Sequence, residues 1–140
     1  MLLWVWTITV WASLFAVFSR DDELFKSRVL GVLLGVTGLI CLFLIFTSNP
    51  FERLLPLVPP EGKDLNPILQ DIGMILHPPM LFLGYAGTAL CFAFGLGALM
   101  EGKVRPESLR GLTTISVIAW LFLTAGNVLG SWWAYNELGW

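Results

Sequence analysis

The sequence predicts an all-α membrane protein with about four transmembrane helices, the third of which is preceded by a Pro-Pro break. Of the 140 residues, 56% are hydrophobic and 13% are charged, whereas soluble domains have about 45–50% apolar and about 25% charged residues. The apolar residues are gathered into four runs of about 18 to 23 residues, close to the ~20 needed to cross a hydrocarbon core. In lipid such a run must satisfy its own backbone hydrogen bonds, which favours a helix.

The four predicted spans follow one another in a single transmembrane region that covers residues 1–140. They are residues 2–19, 29–47, 78–100 and 112–131. The loop 48–77 holds five of the eight prolines, which indicates an extended path rich in turns. Near its end we expect a short helix with Asn66 as the N-cap and Pro67 as the first residue. An outward-facing aromatic tail, residues 132–140, follows the fourth span.

The positions of lysine and arginine predict the orientation of the spans, because short cytoplasmic loops are enriched in both residues. By alternation the first and third loops lie on one side, and together they carry six positive residues against two in the second loop. We therefore expect the first and third loops in the cytoplasm, with both ends of the segment and the loop 48–77 on the outer side. The six are Arg20, Lys26, Arg28, Lys103, Arg105 and Arg110, and the two are Arg53 and Lys63.

The stretch "MILHPPMLFLGY" contains the only histidine, His77, followed by Pro78 and Pro79. Because proline disfavours the α conformation in the residue before it, we expect a break here, with the third span starting at the prolines. Three interpretations of His77 remain open. It caps the break through a hydrogen bond, it handles protons or substrate in a transporter, or it is an axial haem ligand. A bis-histidine haem would need a second imidazole from elsewhere.

Tryptophans gather on the predicted outer side of the membrane. Trp4 and Trp6 open the first span, and Trp132, Trp133 and Trp140 lie at the other end of the sequence. This distribution is typical of an interfacial aromatic belt.

Cysteines and glycines indicate packing. Cys41 and Cys91 lie in apolar runs without a C-x-x-C or C-x-x-C-H pattern, which excludes covalent haem attachment at these thiols. Gly31 and Gly35 have the spacing for close approach of two membrane helices. Glycines also line the third span, at Gly84, Gly87, Gly95 and Gly97. No basic stripe suggests nucleic acid as a partner. The excess of apolar residues makes membrane lipid the expected surrounding.

Three stretches together resemble the CcmF/NrfE family of cytochrome c-type biogenesis proteins, the membrane haem lyase subunit. They are "LLWVW", "IFTSNPFERLLPLVPPEGKDLNPILQDIGMILHPPMLFLGY" and "LTAGNVLGSWWAYNELGW". The resemblance covers essentially the whole chain, and "EGKDLNPILQD" joined to "HPPMLFLGY" is long and specific.

The resemblance implies a polytopic protein of the bacterial inner membrane that attaches haem to apocytochrome c at its outer face; an organellar inner membrane is the second option. The implied partners are a haem chaperone, thioredoxin-like and apocytochrome-binding maturation proteins, and apocytochrome c. It also implies an intramembrane b-type haem, of which the histidine of the H-P-P motif, here His77, is an axial ligand. Trp132, Trp133, Tyr135 and Trp140 then either anchor the chain at the interface or form one edge of a haem platform.

The sequence also departs from that family. The tryptophan-rich WWD signature, its flanking histidines and the histidine that would pair with His77 are absent. The resemblance therefore implies an internal segment of a longer haem lyase, which we expect to be inactive alone. The alternatives are a transporter or channel module with a broken-helix substrate site, or a structural membrane subunit. The lack of Asp, Glu, Lys or Arg well inside the spans argues against a transporter.

Overall fold

A computed structural model describes residues 1–53, 55–56, 61–62 and 64–139 of the chain. These residues form four α-helices and no strand, which confirms the all-α prediction. The helices are α1 (Leu2–Phe18), α2 (Glu23–Thr47), α3 (Ile72–Glu101) and α4 (Pro106–Leu138). Among the described residues, the three helices α2, α3 and α4 each contain a stretch that is long and apolar enough to cross a membrane. The apolar helix α1 is shorter, with 17 residues.

The ends of α3 and α4 follow from their local sequence. Asp71 is the N-cap of α3, and its carboxylate accepts a hydrogen bond of 2.7 Å from the backbone N–H of Gly73. The helix ends at Gly102, whose φ of 74° is a left-handed conformation that glycine adopts without strain. Pro106 is at the first turn of α4, where no intrahelical N–H is needed. Gly139, with φ of 75°, ends α4 in the same way.

The predicted break before the third span is wrong. Pro78 and Pro79 lie inside α3, which runs without interruption from Ile72 to Glu101. Each proline removes one backbone donor, but leaving the helix in lipid would expose more unpaired groups than that. The segment before the prolines is also held by packing, since a Cβ added to Gly73 would lie 3.0 Å from Trp132 and from Trp133 of α4. Tertiary packing thus overrides the local preference of the residue before proline.

Two smaller expectations also change. The residues predicted as an aromatic tail are helical as far as Leu138, so Trp132, Trp133 and Tyr135 belong to α4. The short helix expected near Pro67 is a single 3₁₀ turn, Pro67–Leu69, closed by the Leu69 N–H donating to the Asn66 carbonyl at 2.8 Å.

Lys63 and Trp140 lie outside the described residues. The bounds of the four membrane spans stay a prediction, because they depend on where the lipid boundaries fall along the helices.

Helix α3 is central and packs against each of the other three helices, most extensively against α4. Phe94 of α3 meets Phe15 of α1 and Phe25 of α2 edge to face, with ring centroids 5.4 and 5.0 Å apart. These rings belong to one buried cluster that joins α1, α2 and α3. Its members are Ile8, Trp11, Phe15, Phe25, Val29, Leu33, Ala86, Leu90, Ala93 and Phe94.

Polar contacts join the loop after α1 to the loop after α3. Arg105 lies 2.6 Å from Asp22 and also 2.6 Å from Glu101. The Ser108 hydroxyl donates to the carboxylate of Asp21. The first and third loops are therefore at the same end of the helices, as the alternation of spans predicts, and His77 is toward the opposite end.

Candidate functional site

His77 projects from α3 toward α4 and forms a hydrogen bond with a backbone carbonyl. Its Nδ1 atom lies 2.7 Å from the carbonyl oxygen of Gly126. Because a carbonyl only accepts hydrogen bonds, Nδ1 must carry the proton and donate it. In the neutral ring the other nitrogen, Nε2, then has a free lone pair. The half-buried ring is thus oriented and set in one tautomer by the helix beside it.

Gly130 makes room for this ring. A Cβ added to Gly130 would lie 2.6 Å from Nδ1 and 3.1 Å from Nε2 of His77, and it would contact Cε1 still more closely. Real Cβ atoms essentially never approach a neighbour within 3.0 Å. The imidazole therefore lies against the backbone of α4 at Gly130, in a position that only glycine leaves open.

The His77 contact is one step of a small-residue seam along α3 and α4. A Cβ on Gly84 would lie 2.5 Å from Leu123, and one on Gly126 would lie 2.7 Å from Leu81. Further along, Gly87 faces Ala119 and the Cys91 thiol lies 3.3 Å from the Ser116 hydroxyl. Glycine and other small residues let two membrane helices approach closely. We call this contact the α3/α4 seam, and it positions His77.

The glycines expected to pack differ in what they contact. Gly84 and Gly87 belong to the α3/α4 seam, and a Cβ on Gly97 would lie 3.0 Å from Val29 of α2. Within the part of the chain that the structure describes, a Cβ on Gly95 would have nothing within 4 Å. The same holds for Gly31 and Gly35, so their G-x-x-x-G spacing makes no close helix contact there.

Two of the predicted aromatic residues lie beside the histidine, one helical turn away along α3. Trp132 and Trp133 flank Gly73, which precedes His77 by one turn on the same face. Trp132 is 49% exposed, and Trp133 is half-buried. Tyr135 is 71% exposed. The structure therefore brings together His77, Trp132 and Trp133, while Trp140 lies outside the described residues.

Helix α1 supports α3 from another side. The Trp11 indole N–H donates to the carbonyl of Leu83 at 2.9 Å. The Trp4 ring lies 6.2 Å from Phe82 and 6.3 Å from Tyr85 between centroids. Its Nε1 is buried and has no hydrogen-bond partner among the described residues. Trp4 thus packs against α3, whereas Trp6, 59% exposed, suits the interfacial anchor that the sequence predicts for both.

Sequence reasoning found His77 but missed Gly126 and Gly130, the residues that position it. The available signal was their own G-x-x-x-G spacing, one turn apart in the fourth predicted span. The spacing alone does not reveal that the face they form meets an imidazole, because the pairing depends on the register between α3 and α4.

The donor chemistry of the site fits one axial ligand of a haem. A neutral imidazole with a free Nε2 and an Nδ1–H bound to a backbone carbonyl is the usual arrangement of a metal-ligating histidine. Among the described residues no group of three or more His, Cys, Asp or Glu could hold a metal ion by itself. His77 is the only histidine in the sequence, so a bis-histidine site needs its second imidazole from another segment or chain.

The family model and the curated relatives that match this chain indicate the same family. The model of a family described as Cytochrome C assembly protein matches residues 1–140. The cytochrome c-type biogenesis protein CcmF of Haemophilus influenzae is 47% identical over 100% of this chain and 22% of its own length. CcmF of Escherichia coli is 47% identical, and NrfE of Haemophilus influenzae is 46% identical, with the same coverage. The chain thus spans about 22% of the length of these curated relatives. No solved structure matches it.

Proposed function

The chain belongs to the cytochrome c assembly protein family, and on that premise we propose that it supplies His77 as an axial ligand to an intramembrane b-type haem. Its relatives are named cytochrome c-type biogenesis proteins, which supports a role in cytochrome c maturation. We propose that this segment works within a haem lyase that handles haem and attaches it to apocytochrome c.

One observation carries the proposal: the 2.7 Å hydrogen bond from His77 Nδ1 to the Gly126 carbonyl. It makes Nε2 the nitrogen with a lone pair, as a metal ligand requires. It also fixes the direction in which that lone pair points, because the ring is pressed against Gly130. When bound, the haem would supply a redox-active iron whose potential depends on the axial ligand and its hydrogen bonds.

The aromatic residues beside His77 give this end of the helices a second proposed role. Trp132 is about half exposed and Tyr135 is largely exposed, so both present aromatic surface at this end of the helices. We propose that Trp132, Trp133, Tyr135 and Trp140 form one edge of a platform for haem on its way to apocytochrome c. Amphipathic aromatic rings suit a site where a flat apolar ligand meets the membrane surface.

The orientation follows from the same charge count that the sequence provides. The end with Arg105 and Glu101 holds the six positive residues of the first and third loops, which supports a cytoplasmic position under the positive-inside rule. His77 and the tryptophans then face the periplasm, in a protein of the bacterial inner membrane. There we propose partners of three kinds: a haem chaperone, thioredoxin-like and apocytochrome-binding maturation proteins, and apocytochrome c itself.

The rival function, a transporter or channel module with a broken-helix site, loses its main support. That interpretation requires unwound backbone at the prolines to coordinate an ion or substrate. Helix α3 is continuous through Pro78 and Pro79, so the backbone there is not unwound as that interpretation requires.

The test is the His77→Ala variant in the protein expressed from its complete gene and purified from membranes. We expect loss or sharp weakening of the low-spin b-type absorption spectrum, with membrane insertion unchanged. Thr88→Ala is the matched control, because Thr88 lies on the same helix and is exposed, and its hydroxyl donates to the Tyr85 carbonyl of that helix. A full bis-histidine spectrum in the His77→Ala protein would refute the haem role and leave a structural one.

A further inference from the structure

We infer that Gly126 and Gly130 are positioning residues that hold His77 in the Nδ1–H tautomer, so that Nε2 is the ligating atom. The inference rests on the proposed function for the identity of the metal, but the tautomer and its cause are properties of the protein alone. It assigns a specific task to two residues of α4 that do not themselves touch the metal.

The first step concerns the carbonyl of Gly126. Within a regular α-helix this oxygen already accepts the backbone N–H of Gly130, four residues later. A carbonyl oxygen has two lone pairs, and the second receives the Nδ1–H of His77 at 2.7 Å. The acceptor is part of the helix backbone and cannot rotate away or become a donor. The ring therefore meets a fixed acceptor that allows only one tautomer.

The second step concerns access to that carbonyl. In an α-helix the side chain of residue i+4 usually lies over the carbonyl of residue i and shields it from a neighbouring ring. Gly130 has no such side chain, and a Cβ there would lie 2.6 Å from Nδ1. Imidazole is planar and rigid, with only two torsions to adjust. A methyl group at position 130 would therefore displace the ring and lengthen or break its bond to Gly126.

The third step is the packing that limits where a displaced ring could go. On one side of His77 the seam is closed by Gly73 against Trp132 and Trp133. On the other side it is closed by Leu81, 2.7 Å from a Cβ on Gly126. The half-buried ring is therefore enclosed along the seam on both sides, with Gly130 beneath it. A methyl group at position 130 acts first on the ring, which is the group that its Cβ would overlap.

The consequence for a ligand is chemical. In water neutral imidazole favours the Nε2–H form, in which Nε2 has no lone pair for a metal. Donation from Nδ1 to the Gly126 carbonyl reverses that preference and makes Nε2 a more basic ligand. A more basic axial ligand stabilises ferric iron relative to ferrous iron. Loss of this hydrogen bond should therefore raise the midpoint potential of a haem bound to Nε2.

The direct test is ¹⁵N NMR of histidine-labelled 140-residue chain in lipid nanodiscs, without haem, at about pH 8, where free imidazole is neutral. The chain has one histidine, so the two ring nitrogens give an unambiguous pair of signals. We expect a protonated Nδ1 and an unprotonated Nε2 in the wild-type chain. In Gly130→Ala we expect the signals to shift toward the Nε2–H form. A wild-type ring protonated at Nε2 overturns the inference, and this measurement stands even where the variant fails to fold.

Two glycine controls separate positioning from general loosening of the seam. Gly84→Ala overlaps Leu123 about as severely but does not contact His77, so we expect the wild-type tautomer. Gly111→Ala lies on the same helix as Gly130, with nothing within 4 Å of the added Cβ among the described residues, and should leave the signals unchanged. If Gly130→Ala also keeps the wild-type tautomer, Gly130 is not a positioning residue.

A second measurement uses the protein expressed from its complete gene with its bound haem. We expect Gly130→Ala to raise the midpoint potential of the b-type haem or to weaken its low-spin spectrum, with Gly84→Ala unchanged. This arm distinguishes the two proposals. An Nδ1–H tautomer in the wild-type chain together with an unaltered haem spectrum in His77→Ala would refute the proposed function while the positioning inference stands. An unaltered potential and spectrum in Gly130→Ala would overturn the positioning role at the metal.

Discussion

Arg105 Nη1 lies 2.6 Å from Oδ1 of Asp22, so the residue that precedes α4 is paired with the residue that precedes α2. The same guanidinium donates a 2.6 Å hydrogen bond to Glu101 at the end of α3. That hydrogen bond, with the charges of Asp22 and Glu101, raises the pKa of Arg105 above its ordinary value. Because the pKa of Arg105 is raised in the folded state, its charge stabilises the fold fully at neutral and lower pH. This contribution is lost only as the pH rises through that pKa. One arginine thus ties three helix ends together.

We predict that Arg105→Gln lowers the melting temperature of the protein in detergent by several degrees. The change removes the nearest cation of the Glu101 side chain, which is only 9% exposed, and leaves it Lys103 at 3.6 Å and Arg28 at 4.0 Å. Weakening the pairing of a buried carboxylate is costly. Circular dichroism during heating measures the effect. Arg110→Gln is the control, because it removes one positive charge from an exposed position near the start of α4. Equal melting temperatures for the two variants would show that the Arg105 network does not stabilise the fold.

The α3/α4 seam gives a second prediction, about packing. Gly84→Ala should destabilise the protein by about 1–3 kcal/mol, the usual cost of overpacking a filled site, because the added Cβ would lie 2.5 Å from Leu123. Gly95→Ala, on the same helix, should be neutral, since a Cβ there meets nothing within 4 Å among the described residues. Denaturant titration of both variants measures the difference. A neutral Gly84→Ala would mean that α3 and α4 pack less closely than the structure indicates.

The sequence predicts the class of the fold because length and apolar composition decide whether a segment can cross a membrane. Helical form and the pairing of the first and third loops at one end follow from composition and charge, whereas the role of His77 stays a prediction. The continuity of α3 does not follow, since the local preference against helix before Pro78 is outweighed by packing of Gly73 against α4. The partners of His77 do not follow either, because Gly126 and Gly130 meet it only through the register of two helices.

The glycine signals show the same limit. Gly31 and Gly35 have the spacing of a helix-packing motif, yet a Cβ on either meets nothing within 4 Å among the described residues. Gly126 and Gly130 have the same spacing and surround the histidine. Spacing identifies a face that permits close approach, but the neighbouring helix determines which of these faces is used.

The continuity of α3 changes the expectation for Pro78. With a break at this position, Pro78→Ala would have relaxed the orientation of His77. In a continuous helix it instead restores a backbone N–H that can donate to the Met74 carbonyl. We therefore predict an unchanged haem spectrum and an equal or higher melting temperature for Pro78→Ala. A weakened spectrum with normal folding would show that the proline itself positions the ligand.

The orientation can be tested with single cysteines in a background that lacks Cys41 and Cys91, both of which are free thiols in the structure. We predict that cysteines at Ser27 and Val104 resist an impermeant thiol reagent added outside spheroplasts, because both lie at the end of the helices that is rich in positive residues. A cysteine at Ser48 or Asn49 should react. All four positions are exposed, so burial does not explain a lack of reaction. Ser108 is unsuitable as a reporter because it is only 4% exposed and bonded to Asp21.

The same variants labelled after the membrane is permeabilised provide the control, since every exposed cysteine should then react to a similar extent. Reaction at Ser27 and Val104 from outside, with protection at Ser48 and Asn49, would reverse the orientation. His77, Trp132 and Trp133 lie at the end opposite Arg105, so they would then face the cytoplasm. A haem platform at that end could not serve apocytochrome c in the periplasm, while the Nδ1–H tautomer of His77 would be unaffected, because it depends on α4 rather than on the side of the membrane.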